Sequence, residues 1–328
     1  MGAGSVNPWG IKRLLVLGGG YTGRRLATAL AAAGVPALLT RRGEAVPGAV
    51  PDQAGTPALH WLRFDGGTGV GPSLAELEGV SHVLVTIPPD AQGQDPVLRH
   101  LGDTLAALRP AWVGYLSTTG VYGDSGGAWV NESSPPNPAP GRSAARLRCE
   151  EAWRASGLPL QVLRLPAIYG PGRTPFASLR RGEARLIHKP AQVFSRVHVD
   201  DIVGAVLHCL LLDPAARPDT LILADEWPCP SSETLGYAAH LLGLPLPELQ
   251  RWHEVAESLS PMARSFWREN RRADSRLLRE GLGYRLLHPS YREGYQACLA
   301  EEEGDFRAPH RTGTAAGESP GGPRGTAA

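Results

Sequence analysis

The stretch that decides the fold is LGGGYTGRRLATAL, residues 17–30. Its three glycines follow an apolar run, and a segment with leucines at helical spacing comes after them. Gly18, Gly20 and Gly23 form the pattern G-x-G-x-x-G between the two. In a strand–turn–helix unit, the first glycine makes a tight turn, the second lets backbone amides approach a pyrophosphate, and the third lets the helix pack on the strand. The pattern predicts a dinucleotide-binding loop, with a glycine-rich turn that holds no ligand as the alternative.

The helix after this loop supplies the rest of the predicted anion site. Tyr21 and Thr22 stand between the second and third glycines, just before the predicted helix, whose N-terminal N–H groups and dipole favour a phosphate. We therefore count both residues, with the three glycines, among the predicted cofactor contacts.

Predicted strands and helices alternate through the first half of the chain. The strands, rich in valine, leucine and isoleucine, are residues 11–17, 37–40, 61–64, 82–87, 111–117 and 160–165. The helices are residues 24–33, 74–78, 96–108 and 142–155. This alternation is typical of βαβ units, so we expect an α/β fold: a Rossmann doubly wound parallel sheet with helices on both faces.

The second half of the chain has a looser pattern. Residues 171–192 are rich in loops, and the elements expected after them are helices at 201–212, 233–242, 247–258 and 273–279 and a strand at 220–224. The predicted organisation is an N-terminal extension (1–10), a dinucleotide-binding Rossmann domain (11–170), a small, mostly helical C-terminal substrate-binding portion (171–302) whose residues 200–224 pack back on the Rossmann core, and a tail (303–328). The tail has almost no large apolar side chain, so we expect it to be disordered.

Composition excludes several classes of protein. The 328 residues carry a formal net charge of +1, which gives no strong field to attract nucleic acid. The cysteines are far apart and form no CxxC pair, which predicts reduced thiols and no zinc site. We see no signal peptide and no apolar run long enough to cross a bilayer. We therefore expect a cytoplasmic monomer or homodimer with no nucleic-acid or membrane partner.

The end of the second predicted strand bears on the choice of dinucleotide. An NAD site usually has Asp or Glu about 20 residues after the loop, but this chain has Thr40, Arg41 and Arg42 there. A guanidinium can bind a 2′-phosphate through charge-assisted hydrogen bonds of about 1.5–3 kcal/mol each. The two arginines predict NADP as the cofactor. The alternatives are NAD, or two arginines that are only solvated surface charges.

Four segments together resemble the extended, epimerase-like branch of the short-chain dehydrogenase/reductase superfamily. They are GGGYTG (18–23), STTGVYGD (117–124), RLPAIYGPG (164–172) and RVHVDDIV (196–203). Their order and spacing match that family over about residues 11–212, and residues 266–294 look like the end of atypical members. The resemblance implies a Rossmann sheet with a small C-terminal substrate domain, and hydride transfer between a nicotinamide and a carbonyl or alcohol carbon of a small-molecule substrate.

The resemblance also implies catalytic roles. Thr118 stands where the family has the Ser or Thr that hydrogen-bonds the substrate oxygen. The family's Tyr-x-x-x-Lys pair, counted back from Glu150, falls on Arg142 and Arg146. Arg146 would hold the nicotinamide ribose as the lysine does, but Arg142 cannot move protons because a guanidinium is not deprotonated in proteins. The chain thus resembles an atypical member that lacks the Tyr-x-x-x-Lys pair.

Two tyrosines are the nearest substitutes for the missing proton donor. Tyr122 lies in the "VYG" turn and Tyr169 follows the sixth predicted strand. Packing explains either of them, and Tyr169 would alternatively line the nicotinamide pocket. The proton donor stays open between Tyr122, bound water and a group of the substrate.

Further cofactor contacts follow from positions in the family, although ordinary turn roles explain them equally well. They are Asp65 near the adenine, Thr86, Ile87 and Pro88 near the phosphates and ribose, and Pro166 and Ile168 near the nicotinamide.

Two other segments suggest sites that we interpret as structural. His198, Asp200 and Asp201 place three metal-ligand types within four residues, but Asp200 or Asp201 as the N-cap of a helix explains them better, so we predict no metal. Residues 266–272 (FWRENRR) combine aromatic and basic side chains, which we interpret as a solvated helix face and not as a nucleic-acid surface.

Three functions are compatible with this sequence. The first is an NADP-dependent oxidoreductase acting on an unknown carbonyl or alcohol substrate. The second is a non-catalytic NADP-binding sensor or scaffold, favoured by the loss of the Tyr-x-x-x-Lys pair. The third is a nucleotide-sugar epimerase or dehydratase that retains bound NAD.

Overall fold

The structure is a computed structural model and describes residues 7–43 and 59–307. Most of the predicted N-terminal extension and residues 308–328 of the predicted tail therefore lie outside the described residues.

Seven parallel strands form the central sheet. They are β1 (Leu14–Leu17), β2 (Ala37–Arg41), β3 (His60–Arg63), β4 (His82–Val85), β5 (Trp112–Thr118), β6 (Leu160–Leu165) and β7 (Thr220–Ile222). Their order across the sheet is β7-β6-β5-β4-β1-β2-β3. The order reverses between β1 and β4, which opens a crevice at the carboxyl ends of these strands, where doubly wound sheets bind ligands. The predicted Rossmann-like α/β fold is confirmed.

Helices cover both faces of the sheet. In chain order they are α1 (Tyr21–Ala32), α2 (Pro96–Leu108), α3 (Arg142–Ala155), α4 (Phe176–Arg180), α5 (Val199–Leu211), α6 (Ser231–Leu242), α7 (Trp252–Val255), α8 (Pro261–Phe266) and α9 (Tyr291–Arg307). Leu30 of α1 and Val206 of α5 belong to the core on one face, and Leu105 of α2 and Trp153 of α3 belong to the core on the other. Because both faces are covered, the strands are continuous apolar runs, and all four residues of β1 are buried.

The C-terminal part of the chain has a core of its own. Phe176, Leu235, Tyr291 and Cys298 from α4, α6 and α9 pack together there. Three short pairs of parallel strands lie outside the central sheet, and the first and third of them join this part to the rest. They are Ala167–Tyr169 with Arg196–His198, Leu186–His188 with Leu249–Arg251, and Trp129–Val130 with Arg272–Ala273. The division of the chain at residue 170 stays a prediction.

Residues 74–78 form turns and not the predicted helix. They lie between Pro72 and Gly79, whose φ is +78°. A segment this short cannot offset the cost of helix nucleation without further turns.

Two predicted C-terminal helices are wrong over part of their length. Residues 247–258 contain the strand Leu249–Arg251 before α7, and residues 273–279 begin with the end of a strand. Each strand pairs with a partner more than fifty residues away in sequence, which a local pattern cannot show. Similarly, α8 ends at Phe266, so residues 266–272 are not a helix face.

The last described helix reaches into the segment predicted to be disordered. Residues 303–307 are helical as the end of α9. Within the described residues, no helix is long and apolar enough to cross a membrane.

Candidate cofactor and substrate site

The glycine-rich loop joins β1 to α1 at the carboxyl edge of the sheet. Gly18 has a φ of +101°, which strains other residues, and a Cβ there would lie 2.4 Å from Thr86 Oγ1. Thr86 Oγ1 donates to the carbonyl of Gly18 at 2.7 Å, and the N–H of Gly18 donates to Thr40 Oγ1 at 2.9 Å. The N–H of Gly19 donates to the carbonyl of Thr40 at 2.8 Å. The loop is therefore held from both neighbouring strands.

The other two glycines of the motif have opposite surroundings. A Cβ on Gly23 would lie 2.6 Å from both the Gly18 carbonyl oxygen and Val16 Cγ1, so glycine lets α1 pack this closely on β1. A Cβ on Gly20 would meet nothing within 4 Å, and in the described chain no side chain caps α1 there. The start of α1 therefore presents backbone amides to open space, an arrangement that fits a pyrophosphate.

The side chains of the first turn of α1 have structural partners. The Tyr21 hydroxyl donates to the carbonyl of Pro171 at 3.0 Å, and Cζ of Arg173 lies 4.2 Å from the centroid of its ring. Burial raises the pKa of Tyr21 to about 12. Thr22 is buried. Contact of these two residues with a phosphate would therefore come from their backbone N–H groups.

Arg41 ends β2 beside this loop, and Arg42 follows it. Cζ of Arg41 lies 5.9 Å from the centroid of the Trp61 ring. Trp61 also packs on the loop, because a Cβ on Gly19 would meet its ring at 2.3 Å. Arg42 is exposed. Arg41 and the glycine loop thus contact the same tryptophan ring, and Arg42 follows on the surface.

The cofactor contacts expected by position end or follow other strands. The Asp65 carboxylate accepts from the N–H of Gly67 at 2.9 Å, which lowers its pKa, so it closes a turn after β3. Thr86 and Ile87 follow β4. Thr86 contacts the glycine loop at Gly18, and the carbonyl of Ile87 accepts a hydrogen bond from Arg146. The remaining expected contacts are Pro88, exposed after Ile87, and Pro166 and Ile168, both half-buried after β6.

Thr118, at the end of β5, belongs to a pair of hydroxyls. Its Oγ1 accepts from the N–H of Gly120 at 3.0 Å. A Cβ on Gly120 would lie 3.3 Å from Thr118 Oγ1 and 2.6 Å from the Oγ of Ser143, the second residue of α3. The two hydroxyls thus converge over Gly120. Ser143 was not predicted from the sequence, although its place beside Arg142, at a helix start next to a glycine-containing turn, was a usable signal.

The two arginines at the Tyr and Lys positions have different environments. Arg146 donates to the Tyr115 hydroxyl at 2.9 Å and to the carbonyl of Ile87 at 3.3 Å, which places it beside the segment after β4. Arg142 is exposed, donates to Ser265 Oγ at 3.0 Å, and has Cζ 5.5 Å from the centroid of the Phe266 ring. Arg142 therefore contacts α8, and Arg146 contacts the sheet edge.

Tyr122 lies within a buried network of polar side chains. Arg164 donates to the Tyr122 hydroxyl at 2.8 Å and to Glu150 Oε2 at 2.7 Å, and Ser117 donates to Glu150. Burial raises the pKa of Tyr122 despite the nearby guanidinium of Arg164. This geometry favours the packing alternative for Tyr122 over a role as proton donor.

Tyr169 is also turned away from the crevice. It is buried, and its hydroxyl donates to the carbonyl of Ser290 at 3.2 Å. Its ring packs edge-on against His198 and Tyr295. Burial raises its pKa far above the ordinary value for tyrosine. The geometry favours packing here too.

The segment that contains His198, Asp200 and Asp201 joins the C-terminal part of the chain to α5 through hydrogen bonds. Potential ligand atoms of His198, Asp201 and His288 lie within 4.8 Å of one another. The Asp201 carboxylate, however, accepts from the N–H of Leu287 at 2.6 Å, from the N–H of His288 at 3.0 Å, and from the Tyr284 hydroxyl at 3.3 Å. These protein donors occupy the oxygens that a metal would need.

The start of α5 differs from the expectation. Its N-cap is His198, whose Nδ1 accepts from the N–H of Asp200 at 3.2 Å, and not Asp200 or Asp201. Asp200 instead pairs with Arg25 of α1 at 2.7 Å. The helix begins at Val199, and Asp201 in its first turn is turned inward to the C-terminal segment.

Comparisons with known proteins bear on the family. No family model matches the chain, and no curated protein matches it. Among solved structures, a conserved protein of unknown function from Silicibacter pomeroyi DSS is 43% identical, with 88% of this chain and 99% of that one covered and a TM-score of 0.76.

Two more distant structures share the fold. A UDP-glucuronic acid 4-epimerase from Bacillus cereus in complex with NAD is 15% identical, with coverage of 90% and 100% and a TM-score of 0.67. A dTDP-glucose 4,6-dehydratase from Streptomyces venezuelae with NAD bound is 19% identical, with coverage of 90% and 98% and a TM-score of 0.69. At these identities the likeness concerns the fold.

Proposed function

Because the chain belongs to the same family as the Silicibacter pomeroyi protein and has the fold of the extended short-chain dehydrogenase/reductases, we propose that it is an NAD(P)-dependent oxidoreductase acting on a small-molecule carbonyl or alcohol. The observation that carries this proposal is the glycine loop, in which Gly18 and Gly23 are tightly packed while Gly20 faces open space at the uncapped start of α1. The NAD bound by the epimerase and the dehydratase supports a dinucleotide at this loop.

We further propose that the dinucleotide is NADP. Arg41 and Arg42 stand beside the loop, where the adenosine ribose of a bound dinucleotide would lie. Guanidinium groups match a 2′-phosphate, whereas a site for the free ribose hydroxyl usually has a carboxylate.

Replacing both Arg41 and Arg42 with alanine is expected to weaken NADPH binding at least tenfold to a hundredfold, because even one lost charge-assisted hydrogen bond contributes about 1.5–3 kcal/mol. NADH binding should change by less than about threefold, since NADH has no 2′-phosphate. Calorimetric titration of the wild type and the variant with both nucleotides measures the two effects. Equal losses for NADPH and NADH would contradict the assignment of NADP.

The chain's own residues account for positioning of the reactants. When bound, the nicotinamide would donate a hydride to the substrate carbon or accept one from it. Thr118 accepts a hydrogen bond from Gly120 through its oxygen, which leaves its own proton available for a substrate oxygen. Arg146, next to the Ile87 carbonyl, would hold the ribose and place a fixed positive charge near the reaction. Water reaching the half-buried Ser143 and Thr118 is our proposed source of the proton.

A non-catalytic sensor or scaffold is the second candidate, because a specific observation favours it. Arg142 occupies the position of the proton-donating tyrosine, and the hydroxyls of Tyr122 and Tyr169 lie in buried hydrogen bonds away from the crevice. An epimerase or dehydratase with retained NAD is the third candidate, supported by the names of the two distant structures.

One set of measurements separates these candidates. Denaturing the purified protein and identifying the released nucleotide by mass spectrometry tests for a retained cofactor. Oxidation of NADPH, followed by absorbance with a panel of carbonyl compounds, tests for turnover. NADP-type binding with turnover supports the oxidoreductase, binding without turnover supports the sensor, and retained NAD supports the epimerase. If folded protein bound neither nucleotide at about millimolar concentration, all three would fail.

A further inference from the structure

We infer that the substrate is an oxo acid, a carbonyl compound that carries a carboxylate, with its oxo group on Thr118 and Ser143 and its carboxylate on Arg142. This inference rests on the proposed function, because it assumes that the crevice beside β5 and α3 is the substrate site. Its basis is a pair of half-buried hydroxyls and, adjacent to Ser143 in the chain, the exposed Arg142, which has no acidic partner among the described residues.

The hydroxyl pair provides a site for one oxygen atom. Thr118 Oγ1 and Ser143 Oγ both approach the position of a Gly120 Cβ, at 3.3 and 2.6 Å, and residue 120 must therefore be small for them to converge. Each hydroxyl has one proton to donate. The Thr118 oxygen already accepts from the N–H of Gly120, so the proton of Thr118 is available to the oxygen of a carbonyl group.

Arg142 lies directly beside this pair along the chain. It precedes Ser143 at the start of α3, so the two Cα atoms are about 3.8 Å apart. Its side chain is exposed, and one of its nitrogens donates to Ser265 Oγ. A guanidinium has five N–H donors in a planar fork, so Arg142 keeps enough donors for a bidentate contact with a carboxylate.

The charge balance of α3 favours an anion at this place. Many arginines of this protein pair with a carboxylate, as Arg164 does with Glu150 and Arg25 does with Asp200. Within residues 7–43 and 59–307, no carboxylate pairs with Arg142 or with Arg146. These two arginines are four residues apart on one side of α3, where like charges repel each other. A bound anion would relieve that repulsion.

A carboxylate matches this site better than a phosphate does. Arg146 is already turned to the Tyr115 hydroxyl and the Ile87 carbonyl. One guanidinium is therefore left for the ligand, and it balances the single charge of a carboxylate. A phosphate ester at neutral pH carries close to two negative charges and would call for a second cation.

The test uses the full chain saturated with NADPH, and it measures ligand binding by calorimetry and turnover by absorbance. The probes are pyruvate and levulinate, each paired with its neutral amide, and dihydroxyacetone phosphate. We expect at least one acid to bind roughly tenfold to a hundredfold more tightly than its amide, as one charge-assisted contact implies. An amide that binds as tightly as its acid, no measurable binding of either acid, or tighter binding of the phosphate would overturn the inference.

Two variants test whether Arg142 causes the preference for the acid over its amide. Arg142→Gln should reduce the ratio of acid to amide affinity to less than about threefold, because the charged contact is lost. Arg148→Gln removes an exposed charge from the same helix and should leave the ratio unchanged. Ser143→Ala should weaken the acid and its amide equally, since both have the oxo group. A ratio that survives Arg142→Gln with an unchanged melting temperature would overturn the assignment.

The same titrations keep this inference separate from the proposed function. NADPH is titrated first, without any oxo compound. If NADPH binds but acids have no advantage over amides, the inference fails and the proposed function stands. If neither NADPH nor NADH binds, the proposed function itself fails.

Discussion

Replacing Gly20 with valine is expected to weaken NADPH and NADH binding roughly a hundredfold or more, through loss of charge-assisted contacts between phosphate and backbone amides. The side chain would project into the open space over the start of α1, where a Cβ meets nothing within 4 Å. Gly20 has φ −77° and ψ −161°, an extended conformation that valine adopts readily. The fold should therefore tolerate the change, and the melting temperature without nucleotide should stay close to that of the wild type.

Gly102 provides a matched control for this experiment. It lies within α2, also with nothing within 4 Å of a Cβ, and α2 covers a sheet face away from the loop. Gly102→Val should leave the affinity for both nucleotides unchanged. Calorimetry on the two variants compares the same substitution at two open positions. If Gly20→Val bound NADPH as tightly as Gly102→Val, the proposed loop would not be the pyrophosphate site.

The sequence predicted the parts of this fold that local patterns encode. The apolar run before Gly18 and the regular alternation that follows it predicted the six sheet strands up to residue 165, and all of them are present. The helix predicted over 142–155 is found with those ends. These segments are long, periodic and buried, so their pattern depends little on distant partners. The short strand Leu249–Arg251 was missed because it exists through pairing with Leu186–His188.

The candidate site also has features that local sequence patterns encode and features that depend on distant contacts. The glycine loop and the two arginines at the end of β2 could be proposed as cofactor contacts from the sequence, because a short motif and its spacing define them. Ser143 meets Thr118 only when α3 packs over the turn at Gly120, and the role of Asp201 depends on Leu287 and His288, far along the chain. Such contacts arise from tertiary packing. The place of Ser143 at a helix start was visible in the sequence, but its approach to Thr118 was not.

A second large effect is expected at Asp225, which follows β7 at the sheet edge. It is 2% exposed, and its Oδ1 accepts from the N–H of Trp227 at 3.3 Å. Its other oxygen, Oδ2, has no hydrogen-bond partner among the described residues. Burial raises the pKa of this carboxyl from 3.8 to about 7, and Asp201 adds to the increase while Arg196 opposes it. The folded protein therefore favours the protonated form.

This raised pKa determines how the stability of the folded protein changes with pH. The unfolded chain loses the Asp225 proton near 3.8, whereas the folded protein keeps it up to about 7. The contribution of the carboxyl to stability is thus fully present below about pH 4 and is lost as the pH rises through about 7. Since one pKa unit corresponds to about 1.4 kcal/mol, the rise from 3.8 to about 7 corresponds to a loss on the order of 4 kcal/mol at pH 8.

Asp225→Asn is therefore expected to stabilise the protein by about 3 kcal/mol near pH 8, with a gain that shrinks towards zero near pH 4. An amide has nearly the same shape and never bears the buried charge. Urea unfolding at a series of pH values measures the difference in free energy between variant and wild type. Burial lowers the pKa of both His82 and His198 to about 4, so their linkage makes both proteins less stable as the pH falls from 6.5. These histidines are common to the two proteins, so their contribution cancels in the difference.

Asp103→Asn serves as the control for the same series, because Asp103 is exposed on α2. Its effect on the free energy of unfolding should be within about 0.5 kcal/mol at every pH. A gain for Asp225→Asn that is constant with pH would mean that burial of the charge is not its source. A loss of stability near pH 8 would mean that the charged carboxylate has a partner, such as water on Oδ2 or a closer approach of Arg196. Only a gain that grows between about pH 4 and pH 7 agrees with a carboxyl that is buried in its protonated form.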